Sequence, residues 1–392
     1  MPAASPPQPT QAARTSLAEL ALLFLRLGTT AFGGPAAHVA MMQDEVVQRR
    51  RWLGEAEFLD LFAATNLIPG PNSTELAIHI GWRQRGLPGL WVAGTCFILP
   101  AMLLTGALAW AYVRYGQLPE ARGLLHGIKP VIVAIVVQAI WRLAPKALDS
   151  TSTRVLGALA LCVAALGVGE LWIVLGAGLL AVALGHLRSR SPSRHSLILP
   201  LAPMGLGGAW VAALSPPVSS AGLFWVFCKI GSVLFGSGYV LLAFLRSELV
   251  ERLGWISETQ LLDAVAAGQV TPGPVFTTAT FVGYVLAGPG GALAATAGIF
   301  LPAFLFVALS APLLPRLRES RSTSAFLDGA TAASLALMLL VTWQLGRAAI
   351  VDVPSALLAI AAAVILLRWR PNATWLVLGG AIAGLALQAS GR

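Results

Sequence analysis

The sequence predicts an all-α polytopic membrane protein built from two homologous halves, and three observations lead there. The 392 residues are 57% hydrophobic and 11% charged, with a mean hydropathy of +0.77, whereas soluble domains carry roughly 25% charged residues. Apolar runs reach spanning length: Leu87–Val113 holds one unbroken uncharged stretch, longer than the ~20 residues that cross a bilayer. The chain also repeats itself. A shift of 203 residues lays Phe24–Pro71 on Phe227–Pro274 without a gap, and an offset of 202 continues through Gly127/Gly329 and Trp141/Trp343. Glu45/Glu248, Arg49/Arg252, Trp52/Trp255 and Asp60/Asp263 are identical pairs in order, which shared apolar composition alone does not produce.

The elements follow from the N-terminus. Residues 1–15 form a Pro/Ala-rich tail expected to be disordered; it lacks the charged start and apolar core of a signal peptide. The first repeat occupies 16–187, a basic linker 188–222 and the second repeat 223–392. The first apolar helix runs from Leu17 to about Met42 and is interrupted at Phe32–Pro35, Phe-Gly-Gly-Pro. A polar connection with Arg49, Arg50, Arg51 and Trp52 leads to an amphipathic helix starting near Gly54, or near Ser257 in the second half. There Ser257 and Gln260 make a capping box, each side chain satisfying the other's backbone donor. This helix ends at Pro69-Gly70-Pro71, repeated as Pro272-Gly273-Pro274, and a short helix follows to about Trp82. Further spans are expected at Leu87–Val113, Gly123–Leu143, Val155–Gly167 and Leu171–Leu184, with Ser355–Leu367 and Thr374–Ala389 as later ones.

Loop arginines set the orientation. If Asp60–Trp82 returns to the side it left, each half has about five spans, about ten in all, and the halves are inverted-topology repeats. If that segment crosses, each half has about six and the two are parallel. The net charge of +9 lies between the apolar runs and is topological, so no nucleic-acid partner is implied. Cys96, Cys162 and Cys228 lie in apolar stretches without ligand spacing, so no metal site, disulfide framework or cofactor is expected. Motifs of zinc proteases, serine hydrolases and nucleotide-binding loops are absent from the sequence, which argues against a membrane enzyme and against direct ATP drive.

The breaks carry the functional reading. Hydrocarbon does not tolerate unsatisfied backbone groups unless they line a cavity. A Pro that opens a helix presents the following N–H groups at the positive dipole end, a ready anion site. The four breaks, Phe32–Pro35 and Pro69–Pro71 in one half and Phe235–Gly238 and Pro272–Pro274 in the other, are expected to converge near the midplane and to bind a small anion. Asn66, Asn72 and Ser73 supply donors at the first, Gln269 at the second. Arg26 and its repeat counterpart Lys229 lie within apolar helices and are anion-binding candidates, with snorkelling to the interface as the alternative. Glu75, an acid after the first Pro-Gly-Pro, is the proton-coupling candidate; pairing with Arg83 or Arg26 is the other reading. His38 and His79 read as hydrogen-bonded packing residues, and Asp60 and Asp263 as solvated or capping groups.

The stretches FGGPAAH, EFLDLFAATNLIPGPNSTELA and GWISETQLLDAVAAGQVTPGPVFTTATFVGY resemble the chromate ion transporter family in its long-chain, duplicated form. The resemblance implies a bacterial inner-membrane protein that exports chromate, driven by the proton motive force, and confers resistance. The family's characteristic positions fall here on Gly33, Gly34, Pro35, Asn66, Pro69, Gly70, Pro71 and Asn72, and on Gly236, Gly238, Pro272, Gly273 and Pro274. Chromate and sulfate share shape and charge, so sulfate or another oxyanion is the second reading, and a non-transporting scaffold a third. Membrane lipid is the expected surroundings, with a homodimer left open.

Overall fold

A computed structural model describes residues 15–31, 34–116, 118–188, 218–234, 240–313, 321–369 and 373–389. The N-terminal tail and most of the basic linker lie outside these residues. Fourteen α-helices and no strands occur among them. They are α1 (Leu17–Thr30), α2 (Pro35–Gln43), α3 (Glu55–Ala64), α4 (Asn72–Tyr115), α5 (Pro119–Ala147), α6 (Thr151–Ala165) and α7 (Glu170–Arg188). The second half repeats them as α8 (Ser220–Val233), α9 (Leu241–Leu245), α10 (Glu258–Val270), α11 (Thr278–Ser310), α12 (Arg321–Ala349), α13 (Val353–Trp369) and α14 (Ala373–Ala389).

Local chemistry sets the ends. Ser16 and Glu19 form a capping box at α1, and Ser257 and Gln260 form the expected one at α10. Pro35 stands at the first turn of α2, where its missing N–H has no partner to lose. Both α2 and α9 run on into π-helical turns, Asp44–Arg49 and Arg246–Arg252.

The first apolar helix is not merely interrupted; it reverses. Gly34 takes a φ of 78°, a left-handed value that glycine adopts without strain. The chain then returns alongside α1: His38 meets Ala31, Arg26 meets Glu45 (3.5 Å) and Arg50 meets Glu19 (3.9 Å). This antiparallel order makes α1–α2 a hairpin rather than a span. The start of α4 likewise folds back on α3, where Arg83 pairs with Glu57. Gln84 bonds both Thr15 (3.1 Å) and the Trp52 carbonyl (3.2 Å), bringing the open ends of the two hairpins together. The Asp60–Trp82 segment is thus the re-entrant hairpin of the first orientation reading.

A third reversal lies inside α4, at Arg85 and Gly86 (φ 60°), and recurs in α11 at Ala287 and Gly288 (φ 62°). Gly81 then faces Gly89, and Gly283 faces Gly291, so closely that a Cβ on any of them would strike a facing carbonyl. Small residues permit such backbone contact inside a membrane.

Among the described residues, four helices are long and apolar enough to cross a membrane: α4, α5, α11 and α12. The shorter apolar helices α6, α7, α8, α13 and α14 pack beside them. Trp141 and its counterpart Trp343 are 71% and 69% exposed, as expected of aromatic side chains that meet lipid rather than water. Cys162 is exposed on α6. α5 and its counterpart α12 run antiparallel, because Val133 lies against Gly346 while Leu143 and Ala147 face Thr331–Met338. Equivalent helices pointing opposite ways make the halves inverted repeats.

The halves also exchange helices. α5 of the first half packs on α13 and α14 of the second, and α12 of the second packs on α6 and α7 of the first. Glycines line both seams: Gly127 abuts Gly380 and Gly384, and Gly329 abuts Ala177. The repeat units of the sequence are therefore not the packing units of the fold.

Candidate functional site

The broken helices converge through two reciprocal backbone hydrogen bonds. Gly70 N–H donates to the Leu234 carbonyl (2.7 Å), and Gly273 N–H donates to the Ala31 carbonyl (3.0 Å). Adding 203 to 70 and 31 gives 273 and 234, so one bond is the repeat image of the other. Each Pro-Gly-Pro tip is tied to the broken first helix of the opposite half. Groups that hydrocarbon would leave unsatisfied thus satisfy one another. Gly70 (φ 143°) and Gly273 (φ 90°) hold conformations that disfavour any side chain. Gly33, Gly236 and Gly238 lie outside the described residues.

Beside this crossing is a cavity of about 530 Å³, within the range of small-ligand pockets. Pro35, Asn66, Pro71, Asn72, Ser73 and Pro274 line it, six of the residues predicted from the sequence. Pro71 caps α4, so the backbone N–H groups of Asn72 and Ser73 begin the helix at the cavity wall. Asn72 Nδ2 donates to Asn66 Oδ1 (2.9 Å), and Asn66 Nδ2 donates to the Phe62 carbonyl (3.2 Å). His38 lies behind, with Nε2 3.0 Å from the Ala31 carbonyl and Nδ1 3.2 Å from Ser73 Oγ. A carbonyl only accepts, so Nε2 carries the proton, and in the neutral ring Nδ1 accepts from Ser73. This matches the packing reading of His38.

Three polar lining residues escaped the sequence reading: Lys146, Thr331 and Ser334. Lys146 was legible only as a loop charge. Thr331 and Ser334 come from α12, which reaches the cavity through the helix exchange. Lys146 is exposed and makes no ion pair among the described residues.

The predicted cations lie elsewhere. Arg26 has a 61% exposed side chain and pairs with Glu45 at 3.5 Å; Lys229 pairs with Glu248 at 2.9 Å. These repeat-related pairs fasten the α1–α2 and α8–α9 hairpins, and neither cation lines the cavity. Pro69, Pro272 and Gln269 are buried around the tips and do not line it. Glu75 pairs with neither Arg83 nor Arg26. It is wholly buried against Gly70, and both carboxylate oxygens lack hydrogen-bond partners among the described residues. His79, one turn on, is 1% exposed, and neither ring nitrogen has a hydrogen-bond partner among the described residues, against the hydrogen-bonded reading. Asp263 departs from the solvated reading too, being 4% exposed.

The duplicated tips differ chemically. Asn72, Ser73, Glu75, His79 and His38 correspond to Val275, Phe276, Thr278, Val282 and Leu241. Val275 and Phe276 line the same cavity. The first tip therefore supplies polar groups to the cavity, and the second tip an apolar wall.

The sequence matches the family described as Chromate transporter twice, over residues 18–182 and 221–385. A chromate transport protein of Cupriavidus metallidurans is 33% identical over 380 residues, covering 94% of this chain and 93% of its own length. Another, of Pseudomonas aeruginosa, is 35% identical over 352 residues, covering 87% and 83%. No solved structure matches.

Proposed function

Because this chain belongs to the chromate transporter family, we propose that it is a secondary transporter of a divalent tetrahedral oxyanion, chromate foremost, bound in the Pro-Gly-Pro cavity. The observation that carries this reading is the cavity itself. A helix N-terminus with the backbone N–H groups of Asn72 and Ser73, amide and hydroxyl groups from Asn66, Asn72 and Thr331, and the Lys146 ammonium meet at one place. An oxyanion offers only acceptors, and these groups answer with donors and positive charge. Sulfate fits the same description and is the competing substrate.

Export across the bacterial inner membrane, driven by the proton motive force and giving resistance, is the physiological form of this reading. Glu75 is the proton carrier in it, supported by its burial without a partner among the described residues, one turn from His79. A buried acid among apolar groups is stable only when neutral or newly paired, so proton binding and movement of the tips are coupled. Inverted repeats supply the alternation of access.

Chromate accumulation in inverted inner-membrane vesicles, with and without a proton gradient and with sulfate as competitor, tests the proposal. Gradient-dependent accumulation is expected. Folded protein that accumulates neither anion would exclude it.

A further inference from the structure

A second lysine stands on the opposite side of the fold. Lys129 and Lys146 both belong to α5, 17 residues apart, or about 25 Å along a helix. Lys146 lines the open cavity, whereas Lys129 Nζ lies 3.3 Å from Asp263 Oδ1. Asp263 Oδ2 accepts a hydrogen bond from the Tyr112 hydroxyl (3.0 Å). By the 202-residue offset, Lys129 is the counterpart of Thr331, a lining residue of the cavity. The pair therefore occupies the place where the inverted repeat would put a second cavity.

Polar groups connect the two ends. Thr105 Oγ1 lies 3.2 Å from the hydroxyls of both Thr271 and Thr277, all three buried. Thr277 follows Phe276, which walls the open cavity, and Thr105 precedes Tyr112 by two turns on one face of α4. Packing alone does not explain the ion pair, since apolar residues of similar volume commonly stabilise a buried position at least as well.

We infer that Lys129 is a second station for the transported oxyanion, and that the Asp263 carboxylate occupies that lysine while the cavity opens at Lys146. Reorientation of the inverted halves parts α10 from α5, and the anion replaces the carboxylate on Lys129. Asp263 is thus a stand-in anion that closes one end while the other is open. The inference rests on the anion-transport reading above.

Chromate binding to purified protein and chromate exchange in liposomes test it, using wild type, Lys129→Met, Asp263→Asn and the exchanged Lys129→Asp/Asp263→Lys. Lys129→Met is expected to slow exchange at least tenfold while the Kd of the Lys146 cavity stays within twofold, which also reports folding. Asp263→Asn is expected to bind two chromate ions per chain where wild type binds one. The exchanged variant keeps the ion pair and is expected to remain as slow as Lys129→Met. Exchange restored to the wild-type rate by the swapped pair, or a single chromate bound by Asp263→Asn, would overturn the inference. Wild type that binds no chromate would instead remove the reading beneath it.

Discussion

Replacing Lys146 by Met is the sharpest test of where the anion binds, because the sequence pointed to Arg26 instead. Two unit charges about 4 Å apart interact by ~1 kcal/mol in water and ~4 kcal/mol at an effective dielectric of 20. A dianion doubles both figures. Lys146 is exposed at the cavity, so the low end applies, giving about 2 kcal/mol. At 1.4 kcal/mol per decade this is a roughly 30-fold rise in Kd for chromate. Arg26 already pairs with Glu45 at 3.5 Å and does not line the cavity; its replacement by Met is expected to leave Kd within twofold. Equilibrium binding of labelled chromate to purified protein gives both numbers. Repeating it at physiological ionic strength, where the screening length is ~8 Å, is expected to shrink the Lys146 effect. A thirty-fold loss at Arg26 with none at Lys146 would refute the placement of the site.

Three further outcomes are expected. Glu75→Gln should leave chromate binding intact but abolish its dependence on a pH gradient; vesicle flux that still follows the gradient would exclude Glu75 as the carrier. Asn72→Ala should weaken binding by about 1.5–3 kcal/mol, the scale of a lost donor to a charged group, whereas Val275→Ala at the repeat position should change it little; equal effects would contradict a site polar at one tip only. At the helix-exchange seam, a Cβ on Gly127 would strike Gly380 and Gly384, while Gly379 has nothing within 4 Å. Gly127→Ala should therefore cost about 1–3 kcal/mol and lower Tm, with Gly379→Ala as the silent control; matching melting curves would argue against the exchange.

Much of the architecture was legible because backbone chemistry is local. Proline fixes its own φ and lacks a donor, and glycine alone adopts left-handed φ without strain, so Pro69-Gly70-Pro71 and its copy declare a break wherever they stand. Asn66, Asn72 and Ser73 reached the cavity as expected because they flank such a break. What could not be read was the direction taken after it. Phe-Gly-Gly-Pro marks an interruption in the first helix, yet whether α2 continues or returns depends on its contacts with α1. Arg26 and Lys229 illustrate the same limit: an intramembrane cation is visible in sequence, but its partner, nineteen residues on in each half, is visible only after the hairpin closes.

The sequence by itself determined the membrane class, the duplication and the positions of the four breaks, since apolar content, repeat offset and Pro/Gly geometry are properties of neighbouring residues. Tertiary structure alone decided that the tips bond across the halves, that α5 and α12 trade places, and that one cavity gathers Asn72, Lys146 and Ser334. Those residues lie up to 262 positions apart, and nothing in a local pattern encodes which distant helix face a glycine seam will admit. Packing sets that choice, and with it which lysine lines the cavity.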